Sequence, residues 1–145
     1  MRVVVQRVAA AEVLVQGEPV ATIGRGLLLL VGLAIGDGEP QIAWMARKIA
    51  GLRLFDDARG LMNTSLAEAG GQVLAVPQFT LLADCRKGKR PSFSDALAPT
   101  ESRPLFERVV ALLEAEVGPV ATGRFGASMQ VRLVNDGPVT LVLDR

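Results

Sequence analysis

Gln78 and Thr80 bring a carboxamide and a hydroxyl together at the end of an apolar run, and Cys85 adds a thiol shortly after. The chain holds no histidine. A nucleophilic Thr80 or Cys85 would therefore need a carboxylate or a lysine as its base. Asp84 adjoins Cys85, but a neighbouring anion disfavours the thiolate. Cys85 thus reads as an incidental small residue. Pro77-Gln78-Phe79-Thr80 offers a different chemistry. A strand end is a rigid place from which backbone N–H groups can stabilise an oxyanion. The same residues would serve equally well as a strand terminus facing water.

Arg86, Lys87, Lys89 and Arg90 place four cations within five residues, and Phe93 follows. Such a loop can contact phosphates, and Phe93 can stack on a base. It can also be a solvated basic loop with no partner. Asp56-Asp57 lacks the third spaced ligand of a hard-metal site and reads as a turn. Gly24-Arg25-Gly26 lacks the third glycine of a dinucleotide loop and reads as a hairpin turn. Asn135-Asp136-Gly137-Pro138 lies between two strand-like runs, Met129–Val134 and Val139–Leu143. Asp-Gly there predicts a hairpin. Pro138 sits awkwardly in it, because proline removes a donor that the returning strand would use.

These groups must be held by a mostly aliphatic scaffold. The chain has 145 residues, enough for one domain spanning 1–145 with a buried core. Half of it is hydrophobic and 21% is charged, which excludes intrinsic disorder. Aromatics make up 4%, so the core must be built from Val, Leu, Ile and Ala. Sixteen basic and 15 acidic residues leave a net charge of +1, so nucleic-acid contact would need a local patch. A single cysteine rules out an internal disulfide and a cysteine-rich metal site. No metal or other cofactor is expected. The valine-rich N-terminus reads as a strand rather than a signal peptide, and Leu27–Ile35 is too short to span a bilayer. A soluble, cytoplasmic protein with no membrane partner is expected.

Residues 2–8, Glu12–Gln16 and Val20–Ile23 read as strands, and Leu27–Ala34 as a central strand covered on both faces. Ile42, Met45, Ile49 and Leu52 form the buried stripe of a helix starting at 37–40. Arg53–Phe55 and Gln72–Val76 read as strands, Asn63–Ser65 as a loop. A second helix begins between Thr100 and Pro104, packs Leu105, Val109, Leu112 and Leu113, and stops at Gly118-Pro119. Short strands fill 120–145. Two helices among eight or nine strands, without alternating βαβ order, predict an α+β fold. Its sheet should be mostly antiparallel or mixed.

The chain resembles the D-aminoacyl-tRNA deacylases along nearly its whole length. The matching stretches are Gln6-Arg7-Val8, Gly24-Arg25-Gly26-Leu27-Leu28, Met62-Asn63, Ala69-Gly70-Gly71 and Gln78-Phe79-Thr80-Leu81. They continue with Gly88-Lys89-Arg90-Pro91-Ser92-Phe93-Ser94, Thr122-Gly123-Arg124-Phe125, Met129-Gln130-Val131 and Asn135-Asp136-Gly137-Pro138-Val139-Thr140. Each is weak alone; their order and spacing are specific. The resemblance implies a barrel-like sheet and a homodimer that hydrolyses the ester joining a D-amino acid, or glycine, to tRNA. It implies that Gly137-Pro138 is a cis bond entering the partner subunit's site, where its carbonyls reject an L side chain. Arg7 would brace that turn. Gln78, Phe79 and Thr80 become the catalytic segment, with main-chain amides of Phe79 and Thr80 on the oxyanion and the terminal ribose 2′-hydroxyl assisting. Arg86, Lys87, Lys89, Arg90 and Phe93 become tRNA contacts; DNA is not an expected partner. One departure stands out. The family's Ser-Gln-Phe-Thr here begins with Pro77, which lacks both the hydroxyl and the N–H.

Two other classes remain open on the residues themselves. One is a dimeric nucleic-acid-binding module without chemistry. The other is a general hydrolase with Thr80 as covalent nucleophile.

Overall fold

The computed structural model describes residues 1–145. Its centre is two short strands buried on both faces, β3 (Gly26–Gly32) and β6 (Gln72–Pro77). Their unbroken apolar runs fit that position. Leu27, Leu29, Val31, Val73 and Ala75 face a larger core beneath two helices. Leu28, Leu74 and Val76 face a smaller one with Val8, Val13 and Ile23. The first helix, α1 (Glu39–Ala50), buries Ile42, Met45, Ala46 and Ile49. The second, α2 (Pro99–Val117), buries Phe106, Val109 and Leu113. It starts at Pro99, slightly earlier than the sequence predicts, and Pro104 is accommodated inside it. Gly118 ends it with φ +82° while donating its N–H to Glu114. An L side chain would resist that conformation.

The sheet order is β2 (Glu18–Ile23), β1 (Arg2–Val15), β3, β6, β7 (Val120–Thr122), and β8 (Gln130–Asp144) lies along the other edge of β1. β3–β6 and β6–β7 pair in parallel, the rest antiparallel. α1 lies in the first parallel crossover and α2 in the second, so two crossovers are present where the sequence showed no βαβ order. Met129, just before β8, and Val131 within it pack against the smaller core, as does Ala121 of β7, which curls the mixed sheet toward a barrel.

Three local expectations change. The strands expected at 2–8 and 12–16 are one bent strand, which ends at Val15. Both faces of the bend are used: Val3 and Val5 join the larger core, Val8, Ala11 and Val13 the smaller. Gly24-Arg25-Gly26 is no hairpin turn, because β2 and β3 both pair with β1 along the same edge. Asn63–Ser65 belongs to a strand, β5 (Met62–Ser65), paired with β4 (Arg53–Asp56).

The largest correction concerns 135–140. The predicted hairpin does not form. Both flanking runs pair with β1, Asn135 opposite Val8 and Thr140 opposite Gln6. Residues 136–139 are surplus to the ladder and arch out opposite Arg7, which makes an extended bulge within one long strand. The Asp-Gly signal marks that arch instead. The Gly137-Pro138 bond within it is cis, and Gly137 takes φ +118°.

Candidate active site

The candidate residues fall into two groups. The first surrounds the end of β6. Pro77 pairs with Val31, and the Gln78 N–H donates to the Val31 carbonyl at 2.7 Å as the last rung. The chain then tightens into a 3₁₀ turn, Phe79–Leu82. Its first internal bond runs from the Leu81 N–H to the Gln78 carbonyl. The leading N–H groups of such a turn have no internal acceptor. Those are the Phe79 and Thr80 amides, the two that the resemblance nominates for an oxyanion. Pro77 removes no donor from this pair, because it stands before the spent Gln78 rung.

Thr80 is exposed, and its hydroxyl oxygen accepts a hydrogen bond from the Gln78 carboxamide. An amide is no base, so this contact fixes Thr80 without activating it. Beside the turn lies a cleft of about 540 Å³. Val76, Leu97, Phe106, Phe125 and Met129 are among its lining residues, and no charged side chain joins them. Phe79 and Phe93 meet edge to face across its wall at 5.1 Å between ring centres. Phe106, Phe125 and Met129 had no role assigned from the sequence. The motifs containing Phe125 and Met129 were visible, but their meeting in one cleft depends on the curl of the sheet.

The basic loop hangs from the same wall. Asp84 and Ser92 exchange main-chain hydrogen bonds at 2.7 and 2.9 Å, so Cys85–Pro91 forms a closed loop. Arg86 folds back on Asp84 at 2.8 Å. Its guanidinium and its own N–H hold the Asp84 carboxyl down at about 2. Lys87, Lys89 and Arg90 are exposed and make no ion pair. Three of the four predicted cations are thus free to meet an anion. Cys85 is exposed and makes no disulfide.

The second group is built on the arch. Arg7 is only 7% exposed, the one charged residue in the core. Its guanidinium donates to the Leu54 carbonyl at 2.7 Å and approaches Asp56 at 3.4 Å. Its Nε reaches the Asp136 carbonyl at 3.3 Å and the Asp136 carboxylate at 3.1 Å. Arg7 therefore ties β1 and β4 to the foot of the arch. Asp57 accepts the N–H groups of Arg59 and Leu61, the turn role expected of it. Gly137 and Pro138 project into solvent at the top.

The two groups are apart within one chain. Gln78 bonds to Val31, which pairs with Val3, whereas the arch stands opposite Arg7. Val3 and Arg7 stand four residue steps apart along the strand, about 13 Å. No residue of 135–140 lines the cleft.

The curled mixed sheet thus sets two main-chain amides without internal acceptors beside an apolar cleft, in a chain that has no histidine. The chain as a whole shows its family. It belongs to the D-Tyr-tRNA(Tyr) deacylase family, whose profile matches residues 4–144. A D-aminoacyl-tRNA deacylase of Desulfitobacterium hafniense is 56% identical over 144 residues, 99% of this chain and 97% of that protein. One from Dechloromonas aromatica is 57% identical over 145 residues, with the same coverage. The solved c-Myc DNA Unwinding Element Binding Protein superposes with a TM-score of 0.95 at 37% identity, covering 100% of this chain and 99% of its own. A probable eukaryotic D-amino acid tRNA deacylase shares the fold, with a TM-score of 0.84 at 20% identity over 99% of this chain and 98% of its own. The chain is accordingly an enzyme, a hydrolase.

Proposed function

We propose that the protein hydrolyses the ester between a D-amino acid, or glycine, and the terminal ribose of tRNA, and that two copies of the chain build each site. The observation that carries this reading is the pair of unspent amides, Phe79 and Thr80, beside an apolar cleft. Attack on the ester carbonyl puts negative charge on its oxygen. Two fixed N–H groups stabilise that charge without reorganisation, and one such donor is typically worth ~10²–10³ in rate. With no histidine in the chain, the attacking water is assisted by the substrate's own 2′-hydroxyl. Thr80, held by Gln78, positions the substrate.

Stereochemistry comes from the arch. Its distance from the cleft in one chain, and the exposure of Gly137 and Pro138, favour delivery into a second copy's cleft. The free edge of β8, with exposed Leu133, Val134 and Val142, gives a homodimer apolar surface to bury. Main-chain carbonyls of the arch, set against the substrate's α-carbon, leave no space for an L side chain. A D side chain or a hydrogen points away. No helix is long and apolar enough to cross a membrane, and a cytoplasmic role in translation quality control follows from the substrate.

Deacylation of D-, L- and glycyl-tRNA at matched enzyme concentration tests this reading. The wild type clears the D and glycyl esters and spares the L ester, while Pro138→Ala loses activity or discrimination. Equal turnover of D and L esters by the wild type would refute it.

Lys87, Lys89 and Arg90 are assigned to acceptor-stem phosphates and Phe93 to an unstacked base. Replacing the three cations with alanine should weaken tRNA binding at every sequence. It should also reduce the slope of log K against log salt by about 2–3. Anisotropy titrations across salt concentrations measure this; an unchanged slope would remove the loop from the interface. The same loop would suit a nucleic-acid-binding module without chemistry. That alternative predicts tRNA binding with no change in ester lifetime.

A further inference from the structure

We propose that Asn135 is the positioning residue that sets the pose of the Gly137-Pro138 arch, and that Thr140 locks Asn135 in place. This rests on the reading of the arch as the stereochemical filter. The bulge at 136–139 takes β8 away from β1 just where Arg7 has no strand partner on that side. The Arg7 carbonyl would be left without a ladder donor, and so would the Val139 carbonyl at the far foot. The Asn135 carboxamide supplies both. Its Nδ2 donates to the Arg7 carbonyl at 2.9 Å and to the Val139 carbonyl at 3.0 Å. One side chain thus joins the entry of the arch, its exit and the neighbouring strand.

The orientation of this amide is dictated by its partners. Nδ2 faces two carbonyl oxygens, and a flipped amide would set oxygen against both. Oδ1 faces the Thr140 hydroxyl, which donates to it at 3.3 Å. The Thr140 oxygen in turn accepts from the Gln6 carboxamide at 3.3 Å. Gln6, Thr140 and Asn135 therefore form a directed relay from β1 to the arch, with donor and acceptor matched at each step. Within the arch, the polar contacts of Arg7 go to the Asp136 foot alone. Asn135 fixes the span between the two feet, and with it the height at which Gly137 and Pro138 present their carbonyls.

Asn135→Asp tests the clamp, because it keeps the shape and replaces both donors with oxygen. Hydrogen exchange of segment 135–140, read by mass spectrometry, should accelerate while the rest of the sheet keeps its protection. The D-over-L ratio of kcat/KM should fall about tenfold, the effect of losing two hydrogen bonds that hold a reacting geometry. The Kd for uncharged tRNA should not change. Thr140→Val should give a smaller loss of selectivity and Thr140→Ser should restore it. The Thr140 pair carries the test if Asn135→Asp does not fold. Wild-type exchange and wild-type D-over-L ratio in Asn135→Asp would overturn the clamp. Faster exchange with an unchanged ratio would overturn its role in selectivity. A wild type without D preference would instead refute the function proposed above, and the exchange measurement would still decide whether Asn135 pins the arch.

Discussion

Arg7→Ala is expected to lower kcat/KM for a D-aminoacyl ester by at least ~10²-fold, because a misplacement near 1 Å in a reacting geometry costs that much. The guanidinium packs directly against the arch: a Cβ on Gly137 would stand 3.1 Å from its Nη2. Without it, the Asp136 foot loses both of its contacts to Arg7. Stability falls as well, and magnitudes decide the source. Asp56 and Asp136 are about half exposed (53% and 47%), so water replaces the cation for them, and those ion pairs contribute little. The Leu54 carbonyl is different. It receives its 2.7 Å bond in a buried setting, and an orphaned buried acceptor costs about 1–3 kcal/mol. The lost packing of the aliphatic stem adds to this. Arg7→Lys should not rescue, since a lysine cannot fork between the Leu54 carbonyl and Asp136. Steady-state deacylation together with urea unfolding reads both effects. Wild-type activity in Arg7→Ala would remove Arg7 from the arch's support.

Gly26→Ala should fail to fold, or lose more than roughly 4 kcal/mol, the range of severe core defects. A Cβ at position 26 would lie 1.9 Å from the Gln72 carbonyl oxygen and 2.7 Å from the Gln72 carbonyl carbon and nitrogen. These are backbone atoms of the paired strand, so no rotamer change relieves the clash. The first rung of the parallel β3–β6 ladder, Gly26 opposite Gln72, would have to open. Those two strands separate the two cores, so the defect reaches both. Soluble yield and thermal unfolding measure it. A variant with wild-type Tm would contradict this packing.

The scaffold was legible where burial alone decides the pattern. Leu27–Ala34 reads as a strand covered on both faces, and Ile42, Met45, Ile49 and Leu52 read as one helical stripe; the strand ends at Gly32 and the helix at Ala50. It was less legible where pairing decides. Ala9 and Ala10 are exposed and have weak strand preference, so β1 reads as two strands. In the fold the strand continues because β8 pairs on both sides of Ala9, with Val8 and with Ala10. The Asn135–Pro138 stretch carries a genuine turn signal, yet the long free edge of β1 holds both flanking runs in one strand. At the candidate site, Gln78, Phe79 and Thr80 were nominated by their strand-end position and the resemblance. The clamp of Asn135, Thr140 and Gln6 was not, because its meaning depends on which carbonyls the bulge leaves bare.

The central claim is that the cleft of one chain works with the arch of another. Subunit mixing tests it. One variant blocks the cleft with Ala127→Trp, and the other disables the arch with Pro138→Ala. Each alone should be inactive or unselective. Mixed in equal amounts and allowed to exchange, they should regain about a quarter of wild-type D-specific deacylation, since half the dimers then hold one intact composite site of two. No recovery in a demonstrated mixed dimer would contradict a shared site.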